Sequence, residues 1–259
     1  MKETILGYQV DNASTNECAE AIEREMVSGE RTCHWLACLN PHSYVQALND
    51  QTFAIALHNA RWLVPDGVGV VLASWLLGGQ VRERVTGSDI FYALHRRMNV
   101  LGGFRVFFLG ATENTLTQIR ARMALDYPNI VVAGTYSPPF KRIYSAEELD
   151  AMVSAVNAAQ ADVLWVGMTA PKQEKWIFEN HARLNVRFAA AIGAVFDFYS
   201  ENVKRSHPVF QRLGLEWLPR LLQQPRRLWR RMFVSAPIFV CHVVRAWWMQ
   251  RSRRLRSRP

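Results

Sequence analysis

Across the first 200 positions, short runs rich in apolar, β-branched and aromatic residues alternate with longer stretches whose apolar residues recur every three or four. The first kind reads as strands: Ile5–Val10, Thr32–Leu39, Trp62–Val64, Phe104–Leu109, Ile130–Ala133, Val163–Val166 and Phe188–Ile192. The second kind reads as helices. Thr15–Ser28 turns Ala21, Ile22 and Met26 inward, Pro41 opens the next helix, and Gln51–Asn59 follows. Further helices are expected over Glu113–Tyr127, with Thr112 as N-cap, and over Ala146–Ala159 and Pro171–Leu184. The proline-containing segment Tyr136–Ile143 is expected to be a long loop. Apolar strands separated by helices predict an α/β fold, a mostly parallel sheet with helices on both faces.

Composition adds little to that picture until it is divided along the chain. The 259 residues are 49% hydrophobic and 20% charged, enough for a sizeable core and unlike a disordered chain. Residues 201–259 hold 14 Lys and Arg against only Glu201 and Glu216, a net of +12, whereas residues 1–200 carry a net of −3. The expected organisation is therefore a core over 1–200 and a basic appendage over 201–259. Four of the nine Trp lie in that appendage: Trp217, Trp229, Trp247 and Trp248.

Leu221, Leu222, Leu228, Trp229, Met232 and Phe233 follow helical spacing with arginines on their flanks, the pattern of a basic amphipathic helix at an anionic membrane surface. Pro237, His242 and Arg245 interrupt the most apolar stretch, Met232 to Met249, and weigh against a spanning helix. A helix packed on its own core with a solvated basic face is the plainer alternative. Nucleic acid is a weaker partner, since no RRM, KH or zinc-finger pattern is present. The start Met1-Lys2-Glu3-Thr4 does not read as a signal peptide, and the widely spaced Cys18, Cys33, Cys38 and Cys241 predict free thiols in a reducing cytoplasm.

In a parallel sheet, ligands sit at the carboxyl ends of strands. Gly110-Ala111-Thr112, Gly167-Met168-Thr169-Ala170-Pro171 and Gly193-Ala194 are turns of that kind, and any such fold has them. Gly67-Val68-Gly69 matches part of a dinucleotide fingerprint, but Leu72 occupies the third glycine's place. Cys33, Cys38 and His42 resemble a zinc set only loosely, because odd and even strand positions face opposite ways.

Five stretches are more specific: Leu39-Asn40-Pro41; Pro65-Asp66-Gly67 with the residues to Val71; Glu83-Arg84-Val85-Thr86-Gly87-Ser88-Asp89; Ala170-Pro171-Lys172-Gln173-Glu174; and Gly214 to Leu221 followed by Pro225-Arg226-Arg227-Leu228. With these in order, the chain resembles the WecG/TagA/CpsF family of bacterial glycosyltransferases from about residue 30 to 230. The resemblance implies a Rossmann-like core and an appendage that meets the membrane and helps complete the active site. It implies an inverting, peripheral enzyme at the cytoplasmic face of the bacterial inner membrane. Such an enzyme moves a sugar from a UDP-sugar to a polyprenyl-diphosphate-linked saccharide during cell-surface polysaccharide assembly.

By that resemblance Asp66 is the catalytic base, although Asp-Gly is also an ordinary turn. Arg84 contacts substrate or diphosphate, or else pairs with Glu83, and Thr86 or Ser88 caps the following helix. Gln173 bonds a sugar or uracil edge, or is an exposed helix amide. Asn40 orients a substrate, or is simply a turn residue. Arg205, Arg220 and Arg227 would hold diphosphates or lipid headgroups. Four departures from the family pattern stand out: Pro65 before the aspartate, Cys38 where a threonine is frequent, Arg205-Ser206-His207 in place of Arg-Ala-Pro, and Pro219 where an aromatic is common. No Asp-x-Asp pair occurs, so no metal or other cofactor is expected, and a homo-oligomer is left open.

Overall fold

A computed structural model describes residues 1–28, 30–141, 143–201 and 229–256, with side chains placed up to residue 252. The chain opens with strands β1 (Lys2–Ile5) and β2 (Tyr8–Asp11), which pair antiparallel. The pattern of Ile5–Val10 predicted one strand. The chain reverses there because Leu6 (φ 47°) and Gly7 (φ 93°) both take left-handed conformations, the geometry of a tight hairpin. This hairpin lies against the sheet edge, where Asp11 Oδ2 accepts from the Leu63 amide at 2.8 Å.

The main sheet has six parallel strands: β3 (His34–Leu39), β4 (Trp62–Pro65), β5 (Arg105–Gly110), β6 (Val131–Tyr136), β7 (Val163–Gly167) and β8 (Phe188–Ala191). Their spatial order is β4-β3-β8-β7-β5-β6. Alternation along the strands feeds two cores at once: Leu164 and Val166 of β7 point to one face, Val163 and Trp165 to the other. One face is covered by α2 (Pro41–Ala47), α3 (Gln51–Asn59), α7 (Ala146–Ala158) and α8 (Lys172–Asn180). The other is covered by α1 (Thr15–Ser28), α5 (Gly87–Leu101), α6 (Glu113–Asp126) and α9 (Val195–Tyr199). This is the Rossmann-like arrangement expected. Thr112 caps α6 as predicted, its Oγ1 accepting from the Thr115 amide at 3.3 Å. On α1, Cys18 and Ala19 join Ile22 and Met26 in the core, and Ala21 is only partly covered.

Two helices have no counterpart in the sequence reading, the short α9 and one after β4. Residues after Gly67 form α4 (Val68–Leu76), whose inward side carries Val70, Ala73 and Ser74. At the other end of the chain, a π-helical turn (Arg231–Ser235) leads into α10 (Ala236–Arg256). Proline removes an amide donor and crowds the preceding turn, and the wider turn ahead of Pro237 takes up that strain, so the helix is not broken there. Arg231–Ser252 is consequently long and apolar enough to cross a membrane by length and composition alone, contrary to the weight given to Pro237, His242 and Arg245.

The helix α10 is nonetheless docked on the core. Phe239 and Val243 are buried, and Phe239 packs edge-on against Tyr44 of α2 at 5.4 Å between ring centres. Two hydrogen bonds at 2.8 Å fix it further, His42 Nδ1 with Ser235 Oγ and Tyr44 Oη with His242 Nδ1. Burial, with Arg231 and Arg230 nearby, pulls the His42 pKa down to about 4, so its imidazole is neutral at physiological pH.

Candidate active site

The turns that follow β3 and β4 are built against each other. The Asp66 amide donates to the Leu39 carbonyl at 2.8 Å, and the Pro65 carbonyl accepts from the Val85 amide at 3.1 Å. These two backbone bonds draw Asn40, Asp66 and Arg84 together. Gly67, at φ 118°, turns the chain sharply from Asp66 into α4, a conformation a Cβ would strain. A Cβ there would lie 3.9 Å from that of Asn40, which shows how closely the two turns approach. Asp66 itself is half-buried at this junction.

Asn40 is the N-cap of α2. Its Oδ1 accepts from the amides of His42 (3.0 Å) and Ser43 (2.9 Å), while Ser43 Oγ accepts from the Asn40 amide at 2.8 Å. The turn reading of Asn40 is therefore correct. The cap uses Oδ1 and leaves Nδ2 outside it. Thr86, rather than Ser88, caps α5: its Oγ1 accepts from the Asp89 amide at 3.2 Å, and Asp89 Oδ2 accepts from the Thr86 amide at 3.0 Å. Glu83 accepts from Thr15 Oγ1 at 2.9 Å, across to the start of α1.

Gln173 is not an exposed amide. It is 4% exposed and donates through Nε2 to Oε1 of Glu174 at 2.9 Å. Glu174 is 3% exposed, and burial raises its pKa to about 7 despite its place in the first turn of α8. Among the described residues, Gln173 Oε1 and Glu174 Oε2 have no hydrogen-bond partner. Gly193, after β8, closes over this pair, since a Cβ there would stand 3.3 Å from Gln173 Oε1. Glu174 is the residue that sequence reasoning missed. Its signal was present in the spacing, because Gln173, Ile177 and Asn180 with Glu174 and Trp176 form one inward stripe of α8.

Cys38, at the end of β3, connects the two groups. Burial pushes its thiol well above the usual range, and the carboxylates of Asp66, Glu174 and Asp89 push it further, against a hydrogen bond from the Gly87 amide. Both Asp66 and Glu174 thus lie within electrostatic reach of one sulfur. The zinc reading of Cys33, Cys38 and His42 fails, since among the described residues no three His, Cys, Asp or Glu side chains are grouped to hold a metal ion. His42 is instead the tether to Ser235. Arg205, Arg220 and Arg227 lie outside the described residues.

The sheet also has a switch point. From β5 the chain passes through α6 outward to β6, and from β7 through α8 the opposite way to β8. The crevice between the two carboxyl ends is where nucleotides bind in such sheets. Here Gly110 and Gly167 meet backbone to backbone, with room for no Cβ on Gly110, which would fall 2.6 Å from the Gly167 carbonyl oxygen.

A parallel α/β sheet with the turns that bear Asn40, Asp66 and Arg84 at its carboxyl edge places these residues where such folds bind ligands. The chain belongs to the WecG/TagA/CpsF family of glycosyl transferases, whose model matches residues 3–253. It is a glycosyltransferase. It is 32% identical over 82% of its length to a Bacillus spizizenii N-acetylglucosaminyldiphosphoundecaprenol N-acetyl-beta-D-mannosaminyltransferase, covering 79% of that protein. Proteins of the same name from Bacillus subtilis strain 168 (28% identical, 94% and 91% covered) and Staphylococcus aureus strain MW2 (26%, 95% and 93%) are also similar.

Proposed function

We propose that this chain transfers a sugar, with inversion, from a UDP-sugar to a polyprenyl-diphosphate-linked saccharide for the cell envelope, and that Asp66 is the base. The observation that carries this reading is the joining of the Asp66, Asn40 and Arg84 turns through the Leu39–Asp66 and Pro65–Val85 backbone bonds, in a family whose relatives act on a diphosphoundecaprenol acceptor. The acceptor hydroxyl loses its proton to the Asp66 carboxylate as its oxygen attacks the anomeric carbon. The bond from that carbon to the diphosphate breaks, and UDP departs with the electron pair. Arg84, with Arg205, Arg220 and Arg227 of the appendage, balances the charge that builds on the leaving diphosphate, so that no metal ion is needed. Gln173 and Asn40 orient the sugars.

Sheet geometry supports a direction for the donor. From β7, on the near side of the crevice between β5 and β7, to β4, which leads into Asp66, is three strand spacings, about 14 Å, the reach of an extended nucleoside diphosphate sugar. The nucleotide would lie at the Gly110–Gly167 crevice and the anomeric carbon toward β4. N-acetylmannosamine, the sugar in the relatives' names, is the first donor to test, and its uronic acid and glucose follow.

The appendage fits an enzyme held at the cytoplasmic face of the inner membrane. Docking of Ser235, Phe239, His242 and Val243 on α2 and α4 ties down the middle of the long helix, and a helix so occupied lies along the core instead of passing through about 30 Å of hydrocarbon. A basic, Trp-rich segment favours anionic headgroups.

The test is Asp66→Asn with UDP-N-acetylmannosamine and a polyprenyl-diphosphate N-acetylglucosamine acceptor, product identified by mass. Turnover should fall by at least about a hundredfold while UDP binding by calorimetry is retained. Undiminished turnover removes Asp66 as the base.

A further inference from the structure

Surface helices keep a polar side for water, and a helix that is apolar all round is normally buried or in contact with lipid. The helix α4 carries no charge on any side, and its outward side is uncovered. Its sequence, Val68-Gly69-Val70-Val71-Leu72-Ala73-Ser74-Trp75-Leu76, has one polar residue, and Ser74 points inward, its Oγ accepting from the Val81 amide at 3.1 Å. Val68, Leu72 and Trp75, spaced four and three apart on one side, are 44%, 58% and 70% exposed. They form a stripe with no charge in it.

A second apolar surface lies on the helix that α4 touches. On α4 the neighbouring position, Gly69, lies against Phe239 of α10. The side of α10 facing away from the core exposes Val240, Val244 and Trp248, with Phe233 before them and Arg230, Arg245 and Arg251 at the margins. Together the two helices offer an oily face rimmed by guanidinium groups, within a segment of net charge +12. That combination matches the interface of an anionic bilayer, in which apolar side chains enter the acyl boundary and arginines meet headgroups.

We infer that α4 is a second membrane-binding element, belonging to the catalytic core, and that Val68, Leu72 and Trp75 enter an anionic phospholipid surface alongside α10. The inference rests on the proposed action at a membrane and adds which part of the core touches it. Its consequence is positional. The first residue of α4 follows Asp66-Gly67 directly, and the whole helix is about 13 Å long. A face inserted along α4 therefore holds the base within that distance of the headgroup layer, where the diphosphate of a lipid-linked acceptor resides.

The test compares the full chain with Leu72→Gln/Trp75→Gln in flotation with vesicles of phosphatidylglycerol and phosphatidylethanolamine. Transfer is then measured to a polyprenyl-diphosphate acceptor, either embedded in those vesicles or dispersed in detergent. Binding to vesicles should weaken roughly tenfold or more, and transfer should fall for the embedded acceptor while persisting in detergent. Trp75→Gln alone, at the most exposed position, repeats the comparison if thermal unfolding shows the double variant to be misfolded. Equal binding and equal transfer by variant and parent overturn the role of α4. A parent chain that binds no vesicles overturns the membrane reading itself. A solution dimer that the variant dissociates assigns the stripe to a second copy of the chain and overturns the proposal.

Discussion

Helices α1 and α4 lie on opposite sides of the molecule and obey opposite rules. In α1, Cys18, Ala19, Ile22 and Met26 face the core, while Glu17, Glu20 and Arg24 face water. Glu23 grips Arg97 of α5 through two hydrogen bonds, at 2.7 and 3.1 Å. In α4 no charged side chain faces anywhere. The side of the sheet bearing α1 and α5 is finished for solvent. The side bearing α2, α4 and α10 exposes Val68, Leu72 and Trp75 with no charge among them, and it is the side on which the Asn40 and Asp66 turns begin their helices.

The sharpest way to break this contrast is at the docking of α10. Phe239→Ala removes a buried ring from the contact with Tyr44 and should cost about 3–5 kcal/mol of whatever unfolding includes that contact. Denaturant titration checks this against Val240→Ser, one position on but exposed, which should stay within about 0.5 kcal/mol. Equal effects would mean that α10 is not seated as described.

The next largest effect concerns Glu174. Its folded pKa of about 7 is raised from 4.5, so the folded state resists its ionisation. The resulting penalty is absent below pH 4.5, grows as pH rises, and is complete above about 7. At pH 8, Glu174→Gln should therefore be more stable than the parent by up to about 3 kcal/mol. The gain should vanish at pH 4, as melting curves at both pH values would show. A gain of the same size at both would mean that the carboxyl is not forced to ionise in the fold.

The smallest effect belongs to the solvent side. A double-mutant cycle on Glu23 and Arg97 should give a coupling of about 1 kcal/mol or less that declines with salt. A larger, salt-insensitive coupling would show that the α1 face is less open to water than the contrast requires.

Much of the fold was legible because the strands alternate between two dry cores and several helix starts carry their own caps, as at Thr112 and Asn40. Asn40, Asp66, Arg84 and Gln173 were identifiable as motif residues, and the backbone bonds described above explain how the first three meet. What escaped had physical reasons. The helix α4 has no polar face and so no period, and its Asp-Gly entrance reads as a turn. The hairpin depends on two left-handed residues that no hydrophobic pattern reports. Glu174 looks like an acid matched to a helix start, and only the closure of Gly193 and β8 over α8 makes it a buried group near neutrality.

Gly69 ties these observations together. It has no room for a methyl group, because a Cβ would come 2.8 Å from Pro41 Cγ and reach Phe239 as well. The first residue of α2, the second of α4 and the first turn of α10 thus share one point of contact. A sideways push on α10 would arrive at Pro41, one peptide link from the Asn40 cap. The seating of α10 on the outside of the core and the course of the chain at the Asn40 cap are set by the same missing atom.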